Sequence, residues 1–274
     1  MNPGKSALFS LIRAGAVGVC AVALTALVYL TFSSTGDAAS LIASPSSPFH
    51  PGEKLTYRLS WSNILSAGTA VLEVRAEPSK DGRELLRFVS TARSIGMVDT
   101  FYPVRDTIQS VYDLGARESL AYTMDQSHGK RKKQREYLFD QVAHKVAFTE
   151  NGFQVALDIP PHAQDALSSL YYVRMADDLV PGRTVTVQVF DGGKNWSVDV
   201  QVLAREKVKT PLGEFNTIKL KTYPKYEGVF MHKGEIFIWV TDDAHRIPVI
   251  MQSTITIGSI MANLTEMKLG GDGK

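Results

Sequence analysis

Cysteine is almost missing from this chain: among its 274 residues only Cys20 is one. Everything after position 20 therefore lacks both disulfides and thiolate chemistry, and a folded body must rest on its apolar core. Acids are missing from the start, where the first is Asp37. No excess of one charge is present either. The chain carries 30 Lys+Arg and 28 Asp+Glu, and setting aside Lys5, Arg13 and Asp37 leaves 28 against 27. That near-neutral balance argues against nucleic-acid binding, which needs a basic footprint. Phosphate-loop spacing and any nucleophile–base spacing are likewise lacking, so no catalytic residue, metal site or cofactor is assigned.

What the start does contain is residues 14–32, AGAVGVCAVALTALVYLTF, an uncharged apolar run of 19 residues preceded by Lys5 and Arg13. This length falls between an export-signal core of about 7–15 residues and a spanning helix of about 20. Residues 1–40 read as a signal peptide cut near Ala38 or, uncut, as an N-terminal membrane anchor. In both cases residues 33–274 cross to the periplasmic side. Cys20 has Val19 before it and apolar residues after it, so it is read as helix filler rather than a lipidation site. Residues 41–52, with Pro45, Pro48 and Pro51, form an extended linker. A single β-rich domain spans 53–268, and the Gly-rich end, 269–274, is a flexible tail.

From residue 53 the apolar period is two. In 55–61, Leu55, Tyr57, Leu59 and Trp61 alternate with Thr56, Arg58 and Ser60. Strands are expected at 69–75, 84–93, 107–112, 119–126, 133–140 and 143–149, and then at 183–190, 195–205, 214–223, 234–241, 247–257 and 259–268. One segment, 165–180, has helical spacing and is bracketed by Pro160-Pro161 and Pro181-Gly182, with Asp165 placed to cap it. The expectation is a mainly β protein: an antiparallel, strongly curved sheet or incomplete β-barrel with one central helix, plus the N-terminal apolar helix. A two-sheet sandwich is the other arrangement.

Several segments together resemble the bacterial domain-of-unknown-function family DUF3108. They are GEKLTYRLSWSNILSAGTAVLEV (52–74), DALSSLYYVRMADDLVPG (165–182), VFDGGKNWSVDVQVLAREKVKTPLGEFNTIKLK (189–221) and GEIFIWVTDDAHRIPVIMQSTITIGSIMANL (234–264). The resemblance implies an exported, β-rich protein of Gram-negative bacteria and brings no catalytic residue with it.

Three clusters are candidates for chemistry. TDDAHRIP (241–248) groups Asp242, Asp243, His245 and Arg246, which on one short loop suit a polar turn better than a metal or acid/base site. DGGK (191–194) lacks phosphate-loop spacing and suits a hairpin turn. HGKRKKQRE (128–136) places Lys130, Arg131, Lys132, Lys133 and Arg135 on a hairpin, a candidate contact with an anionic surface. Aromatic residues recur along the strands. If the sheet encloses an unfilled interior, Tyr57, Trp61, Trp196 and Trp239 are the expected lining of an apolar ligand site. The leading expectation is a non-enzymatic cell-envelope protein that binds a lipid-like ligand. A protein-interaction or assembly module with an envelope partner is the alternative. A cell-wall or glycan hydrolase would need two converging carboxylates, drawn from Asp106, Asp242 and Asp243.

Overall fold

The computed structural model describes residues 47–62, 64–226, 229–230, 235–254 and 258–271. The expected signal or anchor, Cys20, most of the linker and the last residues of the tail lie outside these. Eight strands come first: β1 (Lys54–Trp61), β2 (Leu65–Glu77), β3 (Leu85–Ser94), β4 (Val104–Asp113), β5 (Glu118–His128), β6 (Arg131–Asp140), β7 (Lys145–Glu150) and β8 (Phe153–Asp158). Seven follow: β9 (Thr184–Asp191), β10 (Lys194–Thr210), β11 (Gly213–Tyr226), β12 (Val229–Phe230), β13 (Ile236–Thr241), β14 (Pro248–Thr254) and β15 (Ser259–Lys268). Helix α1 (Gly96–Phe101) joins β3 to β4, and α2 (Ser168–Arg174) lies between β8 and β9.

All strands join one antiparallel sheet in the order β8-β7-β6-β5-β4-β3-β2-β1-β15-β14-β13-β11-β10-β9, with β12 beside β11. First and last strands pair at its centre, Lys54 opposite Lys268. Its edges are β8 and β9, consecutive in the chain and separated by the α2 segment. Bulges between Leu59 and Ser60, Val111 and Tyr112, and Val202 and Ala204 bend and twist the ladder. The curled sheet is not closed by pairing. Instead, side chains bridge its two ends: Arg135 Nη1 and Tyr137 Oη donate to Asp191 Oδ1 at 2.9 and 2.8 Å, and Asn195 Nδ2 donates to the Asp158 carbonyl at 2.7 Å. The Gln164 backbone also covers part of the β9 edge, bonding Gln188 O and Phe190 N, each at 2.8 Å.

The β1–β2, β3–β4, β5–β6 and β7–β8 connections lie at one end, here the rim. The β2–β3, β4–β5, β6–β7 and β13–β14 connections lie at the base, where the N-terminal segment and α2 also enter. α2 plugs the base. Tyr171 stacks on Phe88 with centroids 3.7 Å apart, and Phe49 meets both rings edge-on. Burying each such ring stabilises by about 1.5–3 kcal/mol, so the plug is held mainly by aromatic packing. Asp165 does cap this segment: its Oδ1 accepts the Leu167 and Ser168 amides, while Oδ2 accepts the Ser110 and Ser119 hydroxyls at 2.5 and 2.6 Å.

Three local expectations change. The helix expected over 165–180 shortens to Ser168–Arg174, because Arg246 Nη1 takes the carbonyls of Arg174 and Ala176 and ends it. Helix α1 was not expected from the pattern; at six residues it is too short to show a helical period. Strand β8 is not among the expected strands, although Phe153, Val155 and Leu157 alternate with Gln154, Ala156 and Asp158; it is an edge strand exposed along nearly its whole length.

Candidate functional site

Above the plug the interior is not completely filled. An apolar slot of about 90 Å³ runs between α2 and the upper halves of the strands. Its walls include Leu59, Leu72, Leu170, Val200, Ile238 and Ala262. These residues face inward because alternate positions of each strand share a face. Ser90 adds a hydroxyl lower down, opposite Leu72, and toward the rim the lining turns partly polar, with Thr222, Gln252 and Ser253. The Thr222 hydroxyl is buried there without a hydrogen-bond partner among the described residues. Sites for drug-sized ligands occupy about 300–1,000 Å³, so the slot suits a slim chain end and not a whole lipid.

The four aromatics expected to line the interior separate. Tyr57 lines the slot; its hydroxyl donates to the Pro248 carbonyl at 2.7 Å, and burial pushes its pKa well above the ordinary phenol value. Trp196 packs in the inner core with Val198 and Val200, and its Nε1 donates to Asp191 O at 2.8 Å. Trp61 ends β1 at the rim, opposite Ile260. Trp239 does not line the slot but is buried in the hydrophobic core, 8% exposed. Its neighbour Ile238 faces the slot, so the indole points away from it, donating to Glu206 Oε1 at 2.6 Å beneath Lys219 Nζ, 4.8 Å above the ring.

The basic hairpin also divides. Lys130, Arg131 and Lys132 are exposed at the β5–β6 turn, whereas Lys133 and Arg135 turn to Glu150, at 3.3 and 2.6 Å. Alternation along β6 accounts for the split at Lys132, Lys133 and Arg135.

The acids proposed for hydrolysis do not converge. Asp106 near the rim is buried against His128 Nε2 at 2.8 Å, while Asp242 and Asp243 line a separate cleft of about 900 Å³ at the base. In that cleft Arg205 holds Asp242 at 2.8 Å, and Asp243 Oδ1 accepts the Thr241 hydroxyl and the His245 and Arg246 amides. This is the polar-turn arrangement. DGGK is the β9–β10 turn, with Gly192 and Gly193 at φ of 62° and 78°, a conformation glycine adopts without strain. The role of Asp191 was missed: its turn position in the sequence gave no sign that it clasps β6 across the open side of the sheet. Among the described residues, no group of three or more His, Cys, Asp or Glu is placed to hold a metal ion.

The model of a protein family described as of unknown function, DUF3108, matches residues 56–265. The chain belongs to the DUF3108 family. No curated protein matches it. Among solved structures, a β-barrel-like protein of the unknown-function family DUF1849 from Brucella abortus is similar, at 10% identity and a TM-score of 0.56 over 80% of this chain and 98% of that one. That likeness establishes a shared β-barrel-like fold. Two more distant matches each have a TM-score of 0.32 and cover 81% of this chain. One, from Bacteroides fragilis, is described as an exported protein with a YmcC-like fold; it is 13% identical, with 97% of that chain covered. The other, from Parabacteroides distasonis, is described as a lipoprotein; it is 10% identical, with 98% covered. This DUF3108 protein thus shares its architecture with a second uncharacterised family. No helix among its described residues is long and apolar enough to cross a membrane.

Proposed function

We propose that this DUF3108 protein is a non-enzymatic protein of the cell envelope that receives the alkyl end of a lipid-like molecule in the slot above α2. The observation that carries the reading is the slot itself. Apolar walls favour methylene groups, at about 0.8 kcal/mol per CH₂ buried, and the unpartnered Thr222 hydroxyl near the rim suits a polar ligand atom. The basic-then-apolar start of the chain supports a periplasmic body, either secreted or tethered through residues 14–32.

Native mass spectrometry of the full chain purified from envelope extracts tests this, with dodecanoate added to a second sample. Adducts of acyl-chain mass are expected, and Ala262→Leu, which fills the slot, should remove them. A wild-type protein free of adducts in both samples would overturn the reading.

A second reading, an assembly module, is favoured by β8. This strand pairs with β7 and forms an edge of the sheet, with Phe153 77% exposed. Such an edge accepts a strand from a partner protein. Crosslinking in cells from a photoreactive residue at Val155 should then trap one stoichiometric protein, and an absence of crosslinks would count against it.

A further inference from the structure

We propose that the rim docks on an anionic membrane surface, with Ile64, Met97 and Phe101 entering the bilayer interface and a row of cations beneath them meeting lipid phosphates. The three apolar side chains are 88%, 66% and 56% exposed. They sit on neighbouring connections, the β1–β2 turn and α1. The Ile95 amide bonds Ala67 O at 3.1 Å, fixing the start of α1 to β2. The Gly129 amide bonds Pro103 O at 2.8 Å, fixing the β5–β6 turn beside the exit of α1.

On the outer face just below, register builds a row that no single strand reveals. Arg58 stands opposite Thr69, Thr69 opposite Arg93, Arg93 opposite Arg105, Arg105 opposite Ser127 and Ser127 opposite Lys132. Four strands thus contribute four exposed cations to one line, of which Arg58, Arg93 and Lys132 are offered to lipid while Arg105 is paired with Asp99, and Lys130 and Arg131 extend it at the hairpin tip. Arg105 pairs with Asp99 on α1 at 2.6 Å, so the row and the apolar tips are mechanically joined. A groove of about 450 Å³ opens along the row between Thr69, Thr91, Arg93, Arg105, Ser127 and Lys132. Its acids are Asp125 and Asp106, the latter held by His128.

Isolated exposed apolar residues are ordinary on protein surfaces, and Val142 at the base is one. The rim differs in combining several of them with a cation row, the composition of surfaces that lie in a membrane interface. Charge complementarity selects an anionic bilayer as the partner. Each cation near such a surface contributes about 1 kcal/mol, or about fivefold in affinity. The first described residues, 47–53, lie at the base, away from the rim. The rim contact stands independently of what occupies the slot.

The test uses the full chain in a Cys20→Ser background, with an environment-sensitive fluorophore at Met97→Cys or, as a base control, at Val142→Cys. Vesicles are phosphatidylcholine alone or mixed with phosphatidylglycerol, with brominated lipid as quencher. Quenching at position 97, and not at 142, is expected with phosphatidylglycerol only. It should fall to the control level in R58Q/R93Q/K132Q and, in the unmutated row, at about 1 M salt, where the screening length is about 3 Å. Ala262→Leu should leave it unchanged. Equal quenching at 97 and 142, equal quenching in both lipids, or none at 97 would overturn the proposal. Capture of an acidic protein without quenching at 97 would overturn it as well.

Discussion

Arg174 in α2 closes two hydrogen bonds on Glu53, Nη1 to Oε1 at 2.7 Å and Nη2 to Oε2 at 2.8 Å, with the two side chains 1% and 2% exposed. The pair joins the plug to the residue just before β1, and Arg174 Nη2 also donates to His245 O at 2.9 Å. Three distant parts of the chain therefore meet at one guanidinium. Breaking a buried pair strands a charge, at a cost of about 3–5 kcal/mol. Glu53→Ala is expected to lower the unfolding free energy by that amount. Removing both charges in E53L/R174M should recover most of it. Urea denaturation followed by tryptophan fluorescence measures both.

Asp191 is the equivalent clasp on the open side of the sheet. Burial pushes its carboxyl above the usual aspartate pKa, although Arg135 and the Tyr137 hydroxyl pull it back. Asp191→Ala leaves Arg135 and Tyr137 without this acceptor and should cost about 3–5 kcal/mol. Amide exchange should accelerate in β6–β8 before it does in β1 and β15, because the loss falls where the two edges meet. Uniform acceleration would contradict the clasp.

Gly68 marks a close approach between β2 and β3. A Cβ there would lie 2.3 Å from the Arg93 carbonyl oxygen, inside any allowed contact. Backbone must move to admit it, and overpacking of this kind costs about 1–3 kcal/mol. Gly68→Ala is expected to lower the urea midpoint accordingly, and an unchanged midpoint would show that the strands can separate freely there.

Asp99 supplies a pH dependence. The Arg105 guanidinium, with the Ser94 hydroxyl, holds its carboxyl down at about 2 against an ordinary 3.8. A depressed folded-state pKa means the fold favours the carboxylate. Its contribution is therefore complete above about pH 4 and is lost as pH falls through about 2. Carboxyl NMR should give a midpoint at about 2, and Ser94→Ala should raise it toward 3.8. As Asp99 protonates, α1 should lose exchange protection before the sheet does.

Ala262 lines the slot between Leu59 on β1 and Met251 on β14. Ala262→Leu occupies existing space, so stability should change by less than about 1.5 kcal/mol. Dodecanoate binding, read by native mass spectrometry, should nevertheless fall at least tenfold if chain ends enter the slot.

Much of the sheet was legible because alternation survives in single strands. Leu55, Tyr57 and Leu59 face the core as their spacing requires. Trp239 shows the limit. In Ile236–Thr241 nearly every position is buried, so alternation alone could not say which residues face the slot. The hairpin cations show it again: Lys132 and Lys133 are adjacent in sequence, yet one is exposed and the other pairs with Glu150.

By itself the sequence determined a cysteine-free body whose strands each have one apolar face, behind a start that runs basic, apolar and then polar. Period-two patterning is a local property of one strand, and it specifies which side chains share a face. Tertiary structure decided which strands are neighbours. It paired β1 with β15, left β8 and β9 as edges, set α2 in the base beneath a narrow slot, and lined up Arg58, Arg93, Arg105 and Lys132. Those relationships depend on register between residues far apart in the chain, and register is settled only when the whole inner face is buried together.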